Sequence, residues 1–301
     1  MTTDVVDPSR VPDAPLVEPG SSAGLLDVFR HRYLLKLLVQ KELRARYSGS
    51  VLGMFWSYIK PAVRFSMYFL VMGFVFQLNK SIENFPLHIF SGMVMVHYFT
   101  ETFSSGTKSV VKNKGLVQKM DLPREMFPVA SMLVSAYHTF PQILILCFGA
   151  LLAPAGWRPD LTGLVAGLLS FSIVMVFGMA LALVFSAANV FFRDFSNIVE
   201  TFSIFVMWST PMIYPYERIM NLFGGTWAEQ VYLANPVANA VLLMQRCFWS
   251  TSTEDPSRTV AELMPDHLIT RGLIVLAVSL AFLGIAQLIF SRLEGKFAER
   301  L

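Results

Sequence analysis

The sequence predicts an all-α integral membrane protein, and three observations carry that prediction. First, 54% of the 301 residues are hydrophobic and only 15% are charged, with a mean hydropathy of +0.53. Soluble domains carry about 25% charge. Second, six apolar runs approach the roughly 20 helical residues that a hydrocarbon core of about 30 Å requires. Third, the cations are unevenly placed: if each run crosses the membrane, 18 of the 24 Lys and Arg residues fall on one side. Cytoplasmic segments retain positive charge, so both termini are expected there. The net charge of +3 is then a topology signal rather than a nucleic-acid footprint.

Residues 1–24 hold four prolines and four acids with no apolar core. They are expected to form a disordered cytoplasmic tail, not a signal peptide. Residues 25–60 follow as an amphipathic interface helix and a joint into the membrane. Leu26, Phe29, Tyr33, Leu34, Leu37 and Leu38 are expected on one face, with Arg30, Lys36, Lys41 and Arg44 elsewhere. The joint reads KELRARYSGSVLGMFW from Lys41 to Trp56. Its small residues, Ser48 to Gly53, suit a bend, and Pro61 is expected to start the first span.

The transmembrane bundle should occupy residues 61–290. Its spans are expected at Pro61–Leu78, Pro86–Thr107, Phe127–Leu152, Leu161–Phe192, Phe195–Tyr214 and Ile269–Phe290, with a cytoplasmic tail at 291–301. His97 and Glu101 interrupt the second span four residues apart, on one helix face. Ionisable groups within a membrane mark a function by default, although a mutually satisfied pair packed between helices is the simpler reading. Pro141, Pro211 and Pro215 predict kinks. Gly163 and Gly167 permit close helix approach. Cys147 and Cys247 suggest neither a disulfide nor a metal site.

Between spans two and three lies Lys112–Arg124, a short basic loop carrying Leu116, Val117 and Met120. It suits an ordinary positive-inside loop or a protein-docking knob, and the residues alone leave both open. Segment 215–267, on the other side, is long and apolar. Two amphipathic helices, Thr226–Leu233 and Pro236–Phe248, are expected there as a gate dipping into the outer leaflet.

Several chemistries lack their motifs. The one Gly-Lys pair, Gly295-Lys296, is followed by Phe297, so there is no phosphate loop. There is also no H-E-x-x-H metal pair and no G-x-S-x-G elbow. An enzyme is thus the weaker class, and a secondary transporter would need an internal repeat that the halves do not show.

Ordered motifs nevertheless carry a resemblance. KELRARYSGSVLGMFWSYIKP, NKGLVQKMDLPREMFPVA, FRDFSNIVE with TPMIYP, NPVANAVLLMQRCFW and LEGKFAE together resemble the permease subunits of type-2 ABC exporters of polysaccharides and polyol phosphates. Those are the O-antigen and teichoic-acid exporters. The resemblance spans nearly everything after Gly24.

It implies a homodimer with two copies of an ABC ATP-binding subunit. ATP and Mg would be held by that partner and no cofactor by this chain. It also implies a lipid-linked glycan as substrate, with membrane lipids around the complex and no nucleic acid. Among such permeases the chain resembles those of actinobacterial galactan-precursor exporters. A small amphipathic molecule or drug is the alternative cargo.

Carried over by position, Leu37, Lys41, Arg44, Asn113, Leu116, Lys119, Leu122, Pro123 and Arg124 would couple to the ATPase. Arg44, Arg46 and Tyr47 would stand where substrate enters, the arginines toward its pyrophosphate. Tyr68, His97, Tyr98, Glu101, Phe205, Trp208 and Met212 would line the channel. Tyr98-Phe99 departs from the tryptophan-containing pair common in such permeases.

Overall fold

The computed structural model describes residues 24–301 apart from 121. The expected tail, up to its last residue Gly24, lies outside the described residues, as does position 121 of the basic loop. Among the described residues the regular structure is entirely helical. In chain order the helices are α1 (Leu25–Arg30), α2 (Arg32–Tyr47), α3 (Trp56–Tyr68), α4 (Leu78–Ser81), α5 (Phe85–Lys112), α6 (Lys114–Lys119), α7 (Met126–Leu151) and α8 (Leu161–Phe191). They continue as α9 (Phe195–Trp208), α10 (Tyr216–Phe223), α11 (Trp227–Leu233), α12 (Pro236–Phe248), α13 (Pro256–Leu263), α14 (Leu268–Glu294) and α15 (Phe297–Arg300).

Local chemistry sets several of these boundaries. Asp160 caps α8 by accepting from the Gly163 amide at 3.0 Å, and Asn235 caps α12 through the Val237 amide at 3.0 Å. Pro236 and Pro256 occupy first-turn positions, where a missing amide costs nothing. At the joint, Gly49 and Gly53 take φ values of +76° and +47°. Side chains resist that region, so two glycines let the chain turn between α2 and α3.

α8 is the axis of the bundle. Its 31 residues span about 46 Å, and α5, α12 and α14 pack along it. Close approach is built from small residues: a Cβ on Gly106 of α5 would lie 2.5 Å from the Ala182 Cβ of α8. A Cβ on Gly167 of α8 would lie 2.8 Å from the Cys247 sulfur of α12, and one on Gly163 would meet the α12 carbonyl of Arg246 at 3.4 Å. The Gly163/Gly167 pair therefore seats α12. Cys147 and Cys247 are both free.

α7, α8 and α14 are long and apolar enough to cross a membrane. Their outer faces carry exposed Phe148, Leu168, Val278 and Leu288, as a lipid-facing surface would. The other expected spans differ. α3 begins at Trp56, so Pro61 lies inside the helix rather than at its start. Beyond Tyr68 the chain continues as a π-helix over Phe69–Val75. α5 is long but interrupted by charge. α9 ends at Trp208 after about 21 Å, because Ser209 to Pro215 include two prolines that cannot donate amides. The fifth span is therefore a short helix and an irregular return, not a kinked helix reaching Tyr214. Pro141 sits within the unbroken α7.

The largest departure is α12. The sequence reading made Pro236–Phe248 one of two amphipathic gate helices, yet eleven of its residues, from Val237 to Phe248 with Arg246 excepted, are buried. It wedges between α5, α8 and α14 as core. Its polar face is inside too: Gln245 donates to the Pro211 carbonyl at 2.8 Å, and Asn239 donates to the Leu233 carbonyl. Periodicity registered the polar stripe but not the internal carbonyls that satisfy it.

Candidate functional site

Polar groups concentrate where α2 meets the bundle. α1 and α2 together present two apolar faces rather than one. Leu35 and Leu38 are buried, with Val28 of α1, in a cluster that includes Val110, Phe127 and Phe290. Leu26, Phe29, Tyr33 and Leu37 are exposed. One face packs on the protein while the other remains for lipid or a partner.

Between these faces, α2 is tied to α5 by three charged or polar contacts. Lys41 Nζ donates to Asn113 Oδ1 at 2.6 Å, and Lys112 pairs with Glu42. Arg46 Nη1 meets Glu101 Oε1 at 2.7 Å. Glu101 thus takes Arg46 as its ion-pair partner, not His97. His97 Nδ1 faces the Gln142 amide nitrogen at 3.2 Å instead. The intramembrane acid and histidine are each satisfied from a different helix, which a helix-face argument could not foresee.

Just beyond that ion pair, Tyr47 and Ser57 hydroxyls both meet His138 Nδ1 at 3.1 Å and also touch each other. These groups line a cavity of about 120 Å³ together with Arg46, Ser50, Trp56, Lys60, His97 and Gln142. Lys60 Nζ lies 6.0 Å from the Trp56 ring. A lysine, an arginine already paired with Glu101, several hydroxyls and an aromatic wall suit a small anionic group with attached polar atoms. Of the three residues expected at substrate entry, Arg46 and Tyr47 line this cavity, whereas Arg44 is exposed on α2 and outside its lining. His138, Gln142, Ser57 and Lys60 were missed. His138 and Gln142 stand four apart in an otherwise apolar span, a signal that was available.

The coupling residues divide as sharply. Lys119 is exposed, Met120 beside it is 47% exposed, and Leu116 and Leu122 are half-buried. Asn113, Pro123 and Arg124 are buried. Asn113 is held by Lys41, Glu42 and the Ser109 carbonyl, and the Arg124 guanidinium lies 5.8 Å from the Phe297 ring of α15. Expected as contact residues, these three instead brace the loop from within. Leu37 and Lys41 are exposed on α2.

The wall candidates separate too. Phe205 and Trp208 are exposed, and the Tyr68 hydroxyl reaches the Met207 sulfur at 2.8 Å, which joins α3 to α9. Tyr98 is fully buried, stacked on Phe171 at 4.8 Å between centroids, and Met212 is packed against Gly92. Neither faces an open path. Both sit where tight packing, not access, selects the residue.

Outside the bundle's spans, the Asp160 carboxylate receives two guanidinium bonds from Arg246, at 3.1 and 2.6 Å. Those bonds hold it below the usual carboxylate range. Glu229 is likewise lowered, chiefly by the Tyr216 hydroxyl at 2.5 Å and then by the Gly225 amide at 2.9 Å.

Comparison with known proteins locates this arrangement. Residues 33–249 match the family described as ABC-2 type transporter. The O-antigen export system permease protein RfbA of Myxococcus xanthus is 28% identical over 279 residues, covering 91% of this chain and 98% of that protein. Two proteins of the same name from Klebsiella pneumoniae are 26% and 24% identical, each covering 89% of this chain and 95% of its own length.

Proposed function

The chain belongs to the ABC-2 type transporter family, and from that premise we propose that it is the permease of an ATP-driven exporter of a lipid-linked polysaccharide. It is an integral membrane subunit and not an enzyme. The finer reading has two copies of the chain crossing the cytoplasmic membrane six times each, both termini cytoplasmic. Two copies of an ABC ATP-binding subunit hold ATP and Mg beneath them.

The observation that carries this reading is the cationic, hydroxyl-rich cavity at the α2–α3 joint, lined by Arg46, Lys60 and Tyr47. A phosphate-linked glycan requires such a site where it leaves the cytoplasmic leaflet. A galactan precursor is the specific cargo we favour.

Mechanically, closing of the ATPase pair pushes on α2 and on the loop. Lys41, Glu42 and Arg46 pass that movement to α5, shifting the bundle between two packings. Phe205, Trp208 and Tyr68 then border the path, while Arg44 remains free for lipid phosphate or partner.

The test is reconstitution of the chain with its ATPase in proteoliposomes. Lipid-linked glycan should stimulate hydrolysis, and Arg46→Gln with Lys60→Gln should remove most of that stimulation. Equal stimulation in wild type and double variant would overturn the site. Failure of any glycan to stimulate, with stimulation by small amphiphiles, would overturn the cargo.

A further inference from the structure

α14 carries a stripe whose order matches that of a phospholipid. Arg271, Ile274, Val275 and Val278 fall on one helix face at i, i+3, i+4 and i+7. The guanidinium is at the helix's N-terminal end, and the apolar side chains run about 10 Å deeper into the span. Ile274 and Val278 are 60% and 63% exposed. Gly272 turns the stripe outward: a Cβ there would lie 2.7 Å from a Leu169 methyl, so this side of α14 is pressed into the bundle.

Opposite the stripe stand Leu233 of α11 and Pro236 of α12. The two walls enclose an apolar groove of about 270 Å³, with Gln230 and Arg271 at its mouth.

The arginine is held in place by neutral acceptors and makes no direct ion pair. Its Nε donates to the Asp266 carbonyl at 3.1 Å and its Nη1 donates to the Gln230 amide oxygen at 2.9 Å. Both acceptors are neutral. Among the described residues no carboxylate lies within ion-pair distance of Arg271. The carboxylate of Glu229 is hydrogen-bonded by Tyr216 and Gly225 and feels Arg271 only as a weaker charge beyond ion-pair distance, and the Asp266 side chain makes no ion pair with Arg271. A fixed guanidinium with no direct ion pair at the mouth of a membrane-level apolar groove calls for an anion joined to a hydrocarbon chain.

We propose that this groove is a binding site for an anionic phospholipid, with the phosphate on Arg271 and one acyl chain against Ile274, Val278, Leu233 and Pro236. A bound lipid would add to the α12–α14 packing and the Arg271–Gln230 bond that already join α14 to the α11–α12 segment.

The experiment uses the full-length protein purified in detergent. Phosphatidylglycerol is titrated in, and retained lipid is counted by native mass spectrometry. Arg271→Gln should weaken retention about tenfold, the weight of one charge-assisted hydrogen bond. Ile274→Trp should block the groove to a similar degree. Arg158→Gln, an exposed arginine away from the groove, should leave retention unchanged.

Diacylglycerol, which has the chains without the phosphate, should be retained no better by wild type than by Arg271→Gln. A photo-crosslinking residue at 274 should capture lipid in native membranes. Equal retention by wild type and both groove variants would overturn the proposal, as would equal losses in Arg158→Gln. Crosslinking to a protein chain instead of lipid would also overturn it, assigning the groove to a partner helix. Melting of each variant near the wild-type temperature excludes loss of retention by misfolding.

Discussion

Gly106→Ala sets two principles against each other at the α5–α8 crossing. Alanine is favoured over glycine inside a helix by about 1 kcal/mol, so local propensity alone predicts stabilisation. The packing predicts the opposite. The added Cβ would sit 2.5 Å from the Ala182 Cβ, and both atoms are fixed to helix backbones, so no rotamer relieves the clash. Separating the helices would loosen the longest crossing in the bundle, at the upper end of the 1–3 kcal/mol that overpacking costs. The net expectation is a loss of about 2 kcal/mol, or roughly 4–8 °C in melting temperature.

The assay is thermal unfolding of the full-length protein in detergent, with Ala182→Gly and the double variant alongside. With the Ala182 Cβ removed, the nearest remaining atom is its Cα at 3.6 Å, an ordinary contact. The double variant should therefore recover at least about 1 kcal/mol relative to the sum of the single changes. A Gly106→Ala protein as stable as wild type, or a cycle with no coupling, would refute the crossing geometry.

Three further outcomes follow from the same contacts. Glu101→Gln leaves Arg46 facing a neutral amide across a partly exposed pair, so the loss should be about 1–2 kcal/mol, between surface and buried cases, by thermal melting. No change would mean that the pair is not formed in the membrane. Met120→Asp should abolish substrate stimulation of the partner ATPase while the melt moves by less than about 0.5 kcal/mol. Asn113→Ala should instead cost about 1–3 kcal/mol, because it strips bonds from Lys41, Glu42 and the Ser109 carbonyl. The reverse pattern would return Asn113 to the contact surface. Glu229 titrates below its ordinary value when folded, so its contribution is complete above about pH 4.5 and lost as pH falls through the lower folded value. Amide-exchange protection over residues 216–233 should fall in acid for wild type and stay flat for Glu229→Gln; parallel curves would exclude the carboxylate as the cause.

Much of the fold was legible because membrane insertion imposes long apolar runs and sided charge, both of which survive in one-dimensional patterning. α7, α8 and α14 follow their apolar runs to within a residue or a few, and Ser48 to Gly53 form the bend that their composition suggested. What stayed illegible depends on partners distant in sequence. α12 looked amphipathic because Asn239 and Gln245 are polar, yet their acceptors are the carbonyls of Leu233 and Pro211, inside the protein. Gly163/Gly167 announced a close approach by spacing, but the tightest one belongs to Gly106, an isolated glycine without a motif. At the candidate site, Arg46 and Tyr47 were visible from their place before the first span. His138 and Gln142 were visible as a polar pair four apart in α7, but which groups they join follows only from the packing of α7 beside α2.

The same distinction bears on how α2 can act on the rest of the molecule. Lys41, Glu42 and Arg46 occupy little more than one turn of α2, yet their partners Asn113, Lys112 and Glu101 extend over three turns of α5. A short lever is thus clamped along a long rigid helix. α5 runs unbroken from Lys112 to Phe85, where its outer end is stapled: Asn84 donates to the Ser252 carbonyl, and Trp249 donates to the Glu83 carbonyl at 2.7 Å. Displacement of α2 along its axis therefore has no flexible joint within α5 in which to dissipate. It passes to the helices packed along α5, which are α7, α8, α9 and α12, or to the staple at Asn84 and Trp249. Cutting the staple with Trp249→Phe removes one donor while keeping the ring's bulk. That change should leave stimulation by the ATPase contact intact and uncouple it from glycan release, whereas loss of both together would place the hinge at the cytoplasmic end.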